Sequence, residues 1–406
     1  MTVRANKPAF NIREKLKELT QSIGLKGREL MRAATVQDAR DLVSAGRKNI
    51  IFNGSMDIAQ RGTSTTISAN GGYSLDRYFV QTNVGSGHTW AQVSDAPAGS
   101  GLQYSGKITV GTGASPVTDN FGRILYYVEG YDAQQTCFGT SSAKAVTLSF
   151  WTKSSVTGTF GGCIKMQFAS PYPGFFFTYT IKSANAWEYK QITIPAGTMT
   201  GGSMSPSNGI GFLLAFDLGE GPSRSDPAGY NDPSDSGGTV GVEGVTKILA
   251  TSGATWQITG LQLEVGNNAT EFERRSYAEE LALCQRYFTR LYFPNSTYVA
   301  QGALQNSSNI RGSMIHLPTT LRSVPTASNS GSPDITFSGT GNGTGLFTFL
   351  QPSTSNPVTV GSIIMTGVTD SQLHAYGTSF TSLGSTGQTS QLYAGNTAWI
   401  NISAEL

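Results

Sequence analysis

Six ring-bearing side chains set among small and polar neighbours are the residues of this sequence best suited to hold a ligand. They are Trp90, Tyr172 and Phe175, the last two within SPYPGFFF, and His374, Tyr376 and Tyr393 near the C-terminus. Ring faces stack on the C–H groups of pyranose sugars, and amides and hydroxyls beside them read the ring substituents. Gly, Pro or Ser neighbours favour loops for these six. Trp151 and Trp256 read instead as core, because they stand in alternating stretches.

Reactive chemistry has less to build on. The three histidines, His88, His316 and His374, are far apart, and no HExxH, GxSxG or phosphate loop occurs. GTGNGTG at 339–345 lacks the third glycine of a dinucleotide loop and runs into a strand-like Leu-Phe-Thr-Phe. Glycoside cleavage needs two carboxyl groups roughly 5 to 10 Å apart across the scissile bond. Glu129 with Asp132 can be nominated, but sequence cannot set that spacing. Asp226, Asp232 and Asp235 in the Gly-, Pro- and Ser-rich stretch 219–241 offer oxygens to Ca²⁺ without the spacing of a calcium loop, so the stretch reads as a solvated acidic loop. Cys137, Cys163 and Cys284 have no metal-ligand or redox spacing and read as small buried hydrophobes of a reducing compartment. Hence no catalytic residue, metal or cofactor is expected.

The elements that must position these residues are mainly β. In 406 residues, 13% are charged, 38% are hydrophobic and 49 are glycine, a composition for short strands joined by many turns. From Asn49 onward, NIIFNGSMDIAQRGTS predicts a short strand, an Asn53-Gly54 turn and a second alternating stretch. Val146, Leu148 and Phe150 alternate with Thr147, Ser149 and Trp151, the pattern of an antiparallel sandwich. In WQITGLQLEV, Trp256 and Ile258 share one phase and Leu261, Leu263 and Val265 the other, so a β-bulge is expected at Thr259-Gly260. FERRSYAEELALCQRYFTRLYF predicts a helix bounded by Pro294, with Tyr277, Leu281, Cys284, Phe288 and Leu291 on one face.

Residues 1–49 differ from the rest. Ile12, Leu16, Leu19, Ile23 and Leu30 fall on a heptad seam, interrupted at Gly24, Lys26 and Gly27. Thr35 with Asp38 resembles a capping box for a second short helix. Eleven basic residues against five acidic ones lie here. The segment therefore reads as a helical arm that packs on another protein, and the overall charge of +2 averages an uneven distribution. Without interleaved aromatics, nucleic acid is not an expected partner. No apolar run is long enough for a membrane span or signal peptide. At the other end, residues 291–406 hold only Arg311, Arg322, Asp334, Asp370 and Glu405 as charged residues. So charge-poor a surface fits burial between identical subunits, or a polar face that meets neutral ligands.

The stretches NIIFNGSMDIAQRGTS, YSLDRYFV, VTLSFWTKSS, ITGLQLEVGNNATEFERRSYAEELALCQRYF and TAWINISAEL resemble fibre-type virion proteins of tailed bacteriophages. The resemblance implies an N-terminal helical arm for virion attachment and trimerisation (1–49), a jelly-roll β-sandwich similar to carbohydrate-binding modules (50–273), a linker helix (274–293) and a distal C-terminal β-sandwich domain (294–406). It further implies a homotrimeric tail fibre subunit, made in the host cytoplasm, joined to a virion protein through the arm and adsorbing to host surface polysaccharide without cleaving it. The alternative it leaves open is a purely architectural head-fibre, collar or baseplate protein. Ile12, Leu16, Leu19, Ile23, Leu30, Tyr277, Leu281, Cys284 and Phe288 are the expected trimer-seam residues. Light scattering of the purified protein at micromolar concentration is expected to give the mass of a trimer, and a stable monomer would refute this.

Overall fold

The computed structural model describes Arg32 and residues 47–406 except 167–171, 232–237, 295–296, 307–308, 328–333, 340–346, 351–356, 359–361, 379–388 and 395–397. The arm residues Ile12, Leu16, Leu19, Ile23 and Leu30 thus lie outside the described part. Two antiparallel sheets form the larger sandwich. The front sheet has six strands in the order Ser64–Thr66, Thr89–Val93, Ser105–Thr109, Thr255–Val265, Val146–Ser154, Glu188–Ile194. The back sheet has seven, centred on Ile210–Asp217 between Gly158–Lys165 and Gly122–Glu129. Between the sheets lie Trp90, Tyr126, Phe150, Phe212, Phe216, Trp256 and Leu263, an aromatic-rich core. The anticipated bulge is present: the Thr255–Val265 register slips between Thr259 and Gln262, and Gly260 takes φ +61° there.

The outer face of the back sheet is covered. Val240, Val242 and Val245 pack on Leu125, Cys163, Phe176, Leu213 and Ala215 in a second apolar cluster. Beneath this strap, Glu220 takes a two-pronged hydrogen bond from Arg123 at 2.7 and 2.8 Å, and Asp217 pairs with Lys247. The stretch expected as a solvated acidic loop is thus divided: Pro222, Ser223, Pro227 and Ala228 are exposed, whereas its ends at Glu220 and at Thr239 and Val240 are buried, Val240 joining Val242 and Val245 in the cover. Asp232 and Asp235 lie outside the described residues.

Two further expectations change. In NIIFNGSMDIAQRGTS the turn at Asn53-Gly54 is present, with Met56 N donating to Asn53 O at 3.0 Å, but the strands expected around it are not, and the first strand among the described residues starts at Ser64. Side chains and distant backbone groups, such as Leu263 O for Ile50 N, satisfy its backbone in place of a strand ladder. The Asn53 amide bonds Ile58 O, Asp76 O and Ile58 N, Asn49 Oδ1 accepts from Ile51 N and Leu263 N, and Tyr126 OH accepts from Phe52 N. Gly54 is required because a Cβ there would sit 2.1 Å from Leu261 O. The linker helix spans only Tyr277–Gln285, capped by Ser276 Oγ accepting from Glu279 N. Phe288–Phe293 is a strand, paired over its whole length with Ala398–Ser403. Its apolar residues also fit a helical period, and the cross-strand partners decide the outcome. The expected single seam is thereby split. Tyr277 is exposed and Leu281 half-buried, whereas Cys284 is buried in the helix and Phe288 in the strand.

That strand belongs to a three-stranded sheet completed by Ile335–Gly339, facing a seven-stranded antiparallel sheet. Ile335, Ile400 and Ile402 from the first meet Met365, Leu373 and Leu392 from the second in a smaller core. Charged groups lock this unit to the large sandwich. Arg77 donates to Glu405 Oε2 at 2.6 Å, and Arg61 to Glu405 Oε1 at 3.1 Å. Glu129 accepts from Arg286 and from the Tyr287 hydroxyl, while Ala404 N donates to Tyr287 O at 2.7 Å. The Arg77 guanidinium lies 3.4 Å from the Tyr287 ring centroid.

Asp76, beside Arg77, accepts from Gln60 N at 3.0 Å. Burial pushes its carboxyl up from 3.8 to about 6, against the opposing pull of Arg61 and Gln60. Between those values the folded state binds the extra proton. The stability linked to Asp76 is thus full below about pH 4 and lost as pH rises through about 6, a difference of about 3 kcal/mol. Asp76→Asn, which cannot ionise, is expected to gain stability relative to wild type as pH goes from 4 to 7.5. Urea midpoints measured across that range check this, and a constant gap between the two proteins would refute it.

Candidate functional site

The alternation that turns Val146, Leu148 and Phe150 inward turns Trp151 and Lys153 out, onto the outer face of the front sheet. Trp151 is half-buried there, opposite Tyr189 in the neighbouring strand, with ring centroids 5.3 Å apart and planes tilted by 56°. Tyr189 is 44% exposed. On the other side of Trp151 is the bulge. A Cβ on Gly260 would approach Trp151 Cδ1 to 3.3 Å and Leu102 Cδ1 to 3.0 Å, so the glycine leaves room for the indole to lie over the sheet.

A polar rim adjoins the rings. Lys153 bonds Asp95, and its ammonium is 5.1 Å from the Trp187 ring centroid. Trp187 Nε1 donates to Asp95 Oδ1 at 3.2 Å. Burial opposes ionisation of Asp95, but the bonds from Lys153 and Trp187 and the Lys153 charge together hold its carboxyl below the usual range. Gln257, cross-strand from Lys153 and Lys107, is buried beneath this rim, where its amide oxygen accepts from Ser105 Oγ at 3.1 Å and its side chain bonds Asp95. Three aromatic rings therefore stand beside a fixed cation and a fixed carboxylate. Such a face can stack sugar rings and bond their hydroxyls as donor and as acceptor.

The six residues nominated from sequence are not brought together. Trp90 is fully buried between the sheets, with its ring filling the space over Gly106, so no ligand reaches it. Phe175 is half-buried in the back sheet, against the core and opposite Tyr230. Tyr172 is half-buried ahead of that strand. His374 is half-buried in the terminal seven-stranded sheet, paired with Met314 and Thr366. The side chains of Tyr376 and Tyr393 lie outside those described. Trp256 is core as expected, and Trp151 is not; its phase opposite Phe150 was the signal for the outer face.

The nominated carboxylate Glu129 is fully engaged by Arg286 and Tyr287, while burial, reinforced by Glu129, pushes Asp132 up to about 6. His88 is structural: Gly111 N donates to its Nδ1 at 3.1 Å, and its Nε2 faces Val84 O at 2.6 Å. Among the described residues no group of three His, Cys, Asp or Glu side chains could hold a metal. No described helix is long and apolar enough to cross a membrane.

No protein-family model matches the chain, and no match arises among curated proteins. Among solved structures, the enzymatically active domain of tailspike protein 4 of bacteriophage CBA120 overlaps 54% of this chain and 21% of its own, at 11% identity and TM-score 0.30. A CBM4 structure overlaps 53% of this chain and 98% of its own, at 13% identity and TM-score 0.27. The family 11 carbohydrate-binding module from Clostridium thermocellum overlaps 52% and 99%, at 10% identity and TM-score 0.26. The chain thus spans about a fifth of the tailspike's length. Likeness this loose says nothing about what the chain binds.

The placement of the tryptophans can be checked in solution. Iodide or acrylamide is expected to quench Trp151, Trp187 and the half-buried Trp399, and to spare Trp90 and Trp256. A variant carrying Trp151→Phe and Trp187→Phe should lose most of the quenchable signal; an unchanged quenchable fraction would contradict the exposed platform.

Proposed function

We propose that this protein is a non-catalytic glycan-binding subunit of a tailed-phage fibre, and that the outer face of its front sheet is a glycan site. The observation that carries the binding reading is the Trp151, Tyr189 and Trp187 platform with its Lys153 and Asp95 rim, on the sheet face opposite the one that the strap covers. Supporting the fibre reading are the basic heptad arm, the charge-poor C-terminal region and the sequence resemblance given above. In this reading the arm joins a virion protein, three chains associate, and the terminal unit points to the host.

A shallow platform suffices for adhesion. Identical sites repeated on a trimer and again on several fibres raise effective affinity by roughly 10²-fold or more without new contacts.

The test is an array of immobilised bacterial capsule and O-antigen polysaccharides probed with wild type and with a variant carrying Trp151→Ala and Tyr189→Ala. Wild type should bind at least one polysaccharide without shortening it. The variant should lose about tenfold or more of that affinity, the sum of two stacking contacts. Equal retention of both proteins would remove the front face from the function, and shortened polymer would make the protein an enzyme.

A further inference from the structure

The three-stranded sheet of the C-terminal unit has an outer face of similar chemistry but different charge. Tyr292, 57% exposed, lies opposite Trp399, with ring centroids 5.8 Å apart and planes tilted by 44°. One step along the same face, Arg290 lies opposite Asn401 and donates from Nε to its amide oxygen at 2.7 Å, with exposed Thr336 on the far strand. A further step brings Phe288, whose ring centroid is 3.6 Å from the Arg61 guanidinium. Rows of one face repeat about 6.5–7 Å apart along a strand.

The positive charges on this face are unequally matched. Arg61 donates to Glu405 and stands 3.9 Å from Asp76. Arg290 is half-buried, its hydrogen-bond partner is a neutral amide, and it makes no ion pair among the described residues. Burial and the neighbouring Arg61 charge both lower its pKa, against the pull of Asp76, as for a cation short of a counterion. A guanidinium in that position gains from a planar anion, which it can bind through two parallel hydrogen bonds.

We propose that this face is a second carbohydrate site and that it selects sugars bearing a carboxylate. The pyranose ring stacks on Tyr292 and Trp399, and its exocyclic carboxylate reaches Arg290 in the next row, with Thr336 bonding a hydroxyl. This rests on the glycan-binding reading given above, and it assigns the acidic sugar to the terminal sheet and leaves the platform around Trp151 to neutral rings.

The test uses the full chain and a panel of paired oligosaccharides, each a uronate and its methyl ester, which keeps the ring and caps the charge. Wild type should bind at least one uronate about tenfold or more tighter than its ester, as expected for a hydrogen bond to a charged group. Arg290→Gln should abolish that preference, and Tyr292→Ala, at an exposed position, should weaken binding of the same uronate. The variant carrying Trp151→Ala and Tyr189→Ala should keep the preference. Absence of any preference in wild type, or its survival in Arg290→Gln, would overturn the inference whatever the front sheet binds. Dissociation of the oligomer by Tyr292→Ala in light scattering would also overturn it, by making the face a contact between copies. Conversely, a preference present in wild type and lost only in the variants of the terminal sheet would stand even if the front platform bound nothing.

Discussion

A buried arginine organises the molecule. Arg77 is 2% exposed, and a charge so far from water costs several kcal/mol unless it is paired and fully bonded. Three separate stretches supply what it needs. Glu405 brings the carboxylate, Tyr127 O accepts a hydrogen bond, and the Tyr287 ring covers the guanidinium. Its own backbone sits at φ +77°, a conformation that a side chain of this size adopts only when its surroundings fix it. Asp76 and Tyr78 on either side tie the same turn to Gln60 and to Asn53 O. The junction between the large sandwich and the terminal unit is built outward from this point.

The junction's hydrogen bonds and ion pairs, packed with the buried Tyr287 and Phe288 rings, hold the two β-units at one orientation. Arg322 repeats the device a short way off. It donates to Ala404 O, Glu405 O and Asn208 O, while its own carbonyl accepts from Asn208 Nδ2. Most of the few charged side chains near the C-terminus are thus spent on architecture, as the Asp334 carboxylate also is in bonding Thr326. Arg290 differs: among the described residues its hydrogen-bond partner is a neutral amide, and its guanidinium lies 6.0 Å from the Phe288 ring centroid.

Period-two alternation made the mainly β fold legible, and a one-residue phase slip located the bulge at Gly260. Local patterns failed where distant side chains replaced a ladder. The segment from Asn49 reads as strand, turn and alternating stretch; the turn forms, but Asn53, Tyr126 and Asp76 bond its backbone in place of strand partners, and two of those lie beyond it in sequence. Phe288–Phe293 reads as helix because its apolar positions fit both periods, and only its pairing with Ala398–Ser403 settles it. For the site, loop-like neighbours were a poor guide to exposure. Trp90 is buried because Gly106, across the sheet, gives its ring a bed. Trp151 reads as core because it stands in an alternating stretch, but its phase, opposite Phe150, places it outside. The strap over the back sheet was hidden by composition, since Val240 closes a stretch of Gly, Asp and Ser and Val242 and Val245 follow it at spacings that announce no cover.

The bond between Arg77 and Glu405 joins positions 328 apart in the chain. Long-range contacts form late, because the entropy of closing the loop must be met before the contact repays it. Until Glu405 arrives, the turn at Arg77 holds a cation with no counterion, in a backbone conformation its neighbours do not yet enforce. The large sandwich can therefore acquire its strands early and still lack its final lock, so that refolding is expected to end in a slow docking phase of the terminal unit. The same dependence makes the junction the place where unfolding under force or protease should begin.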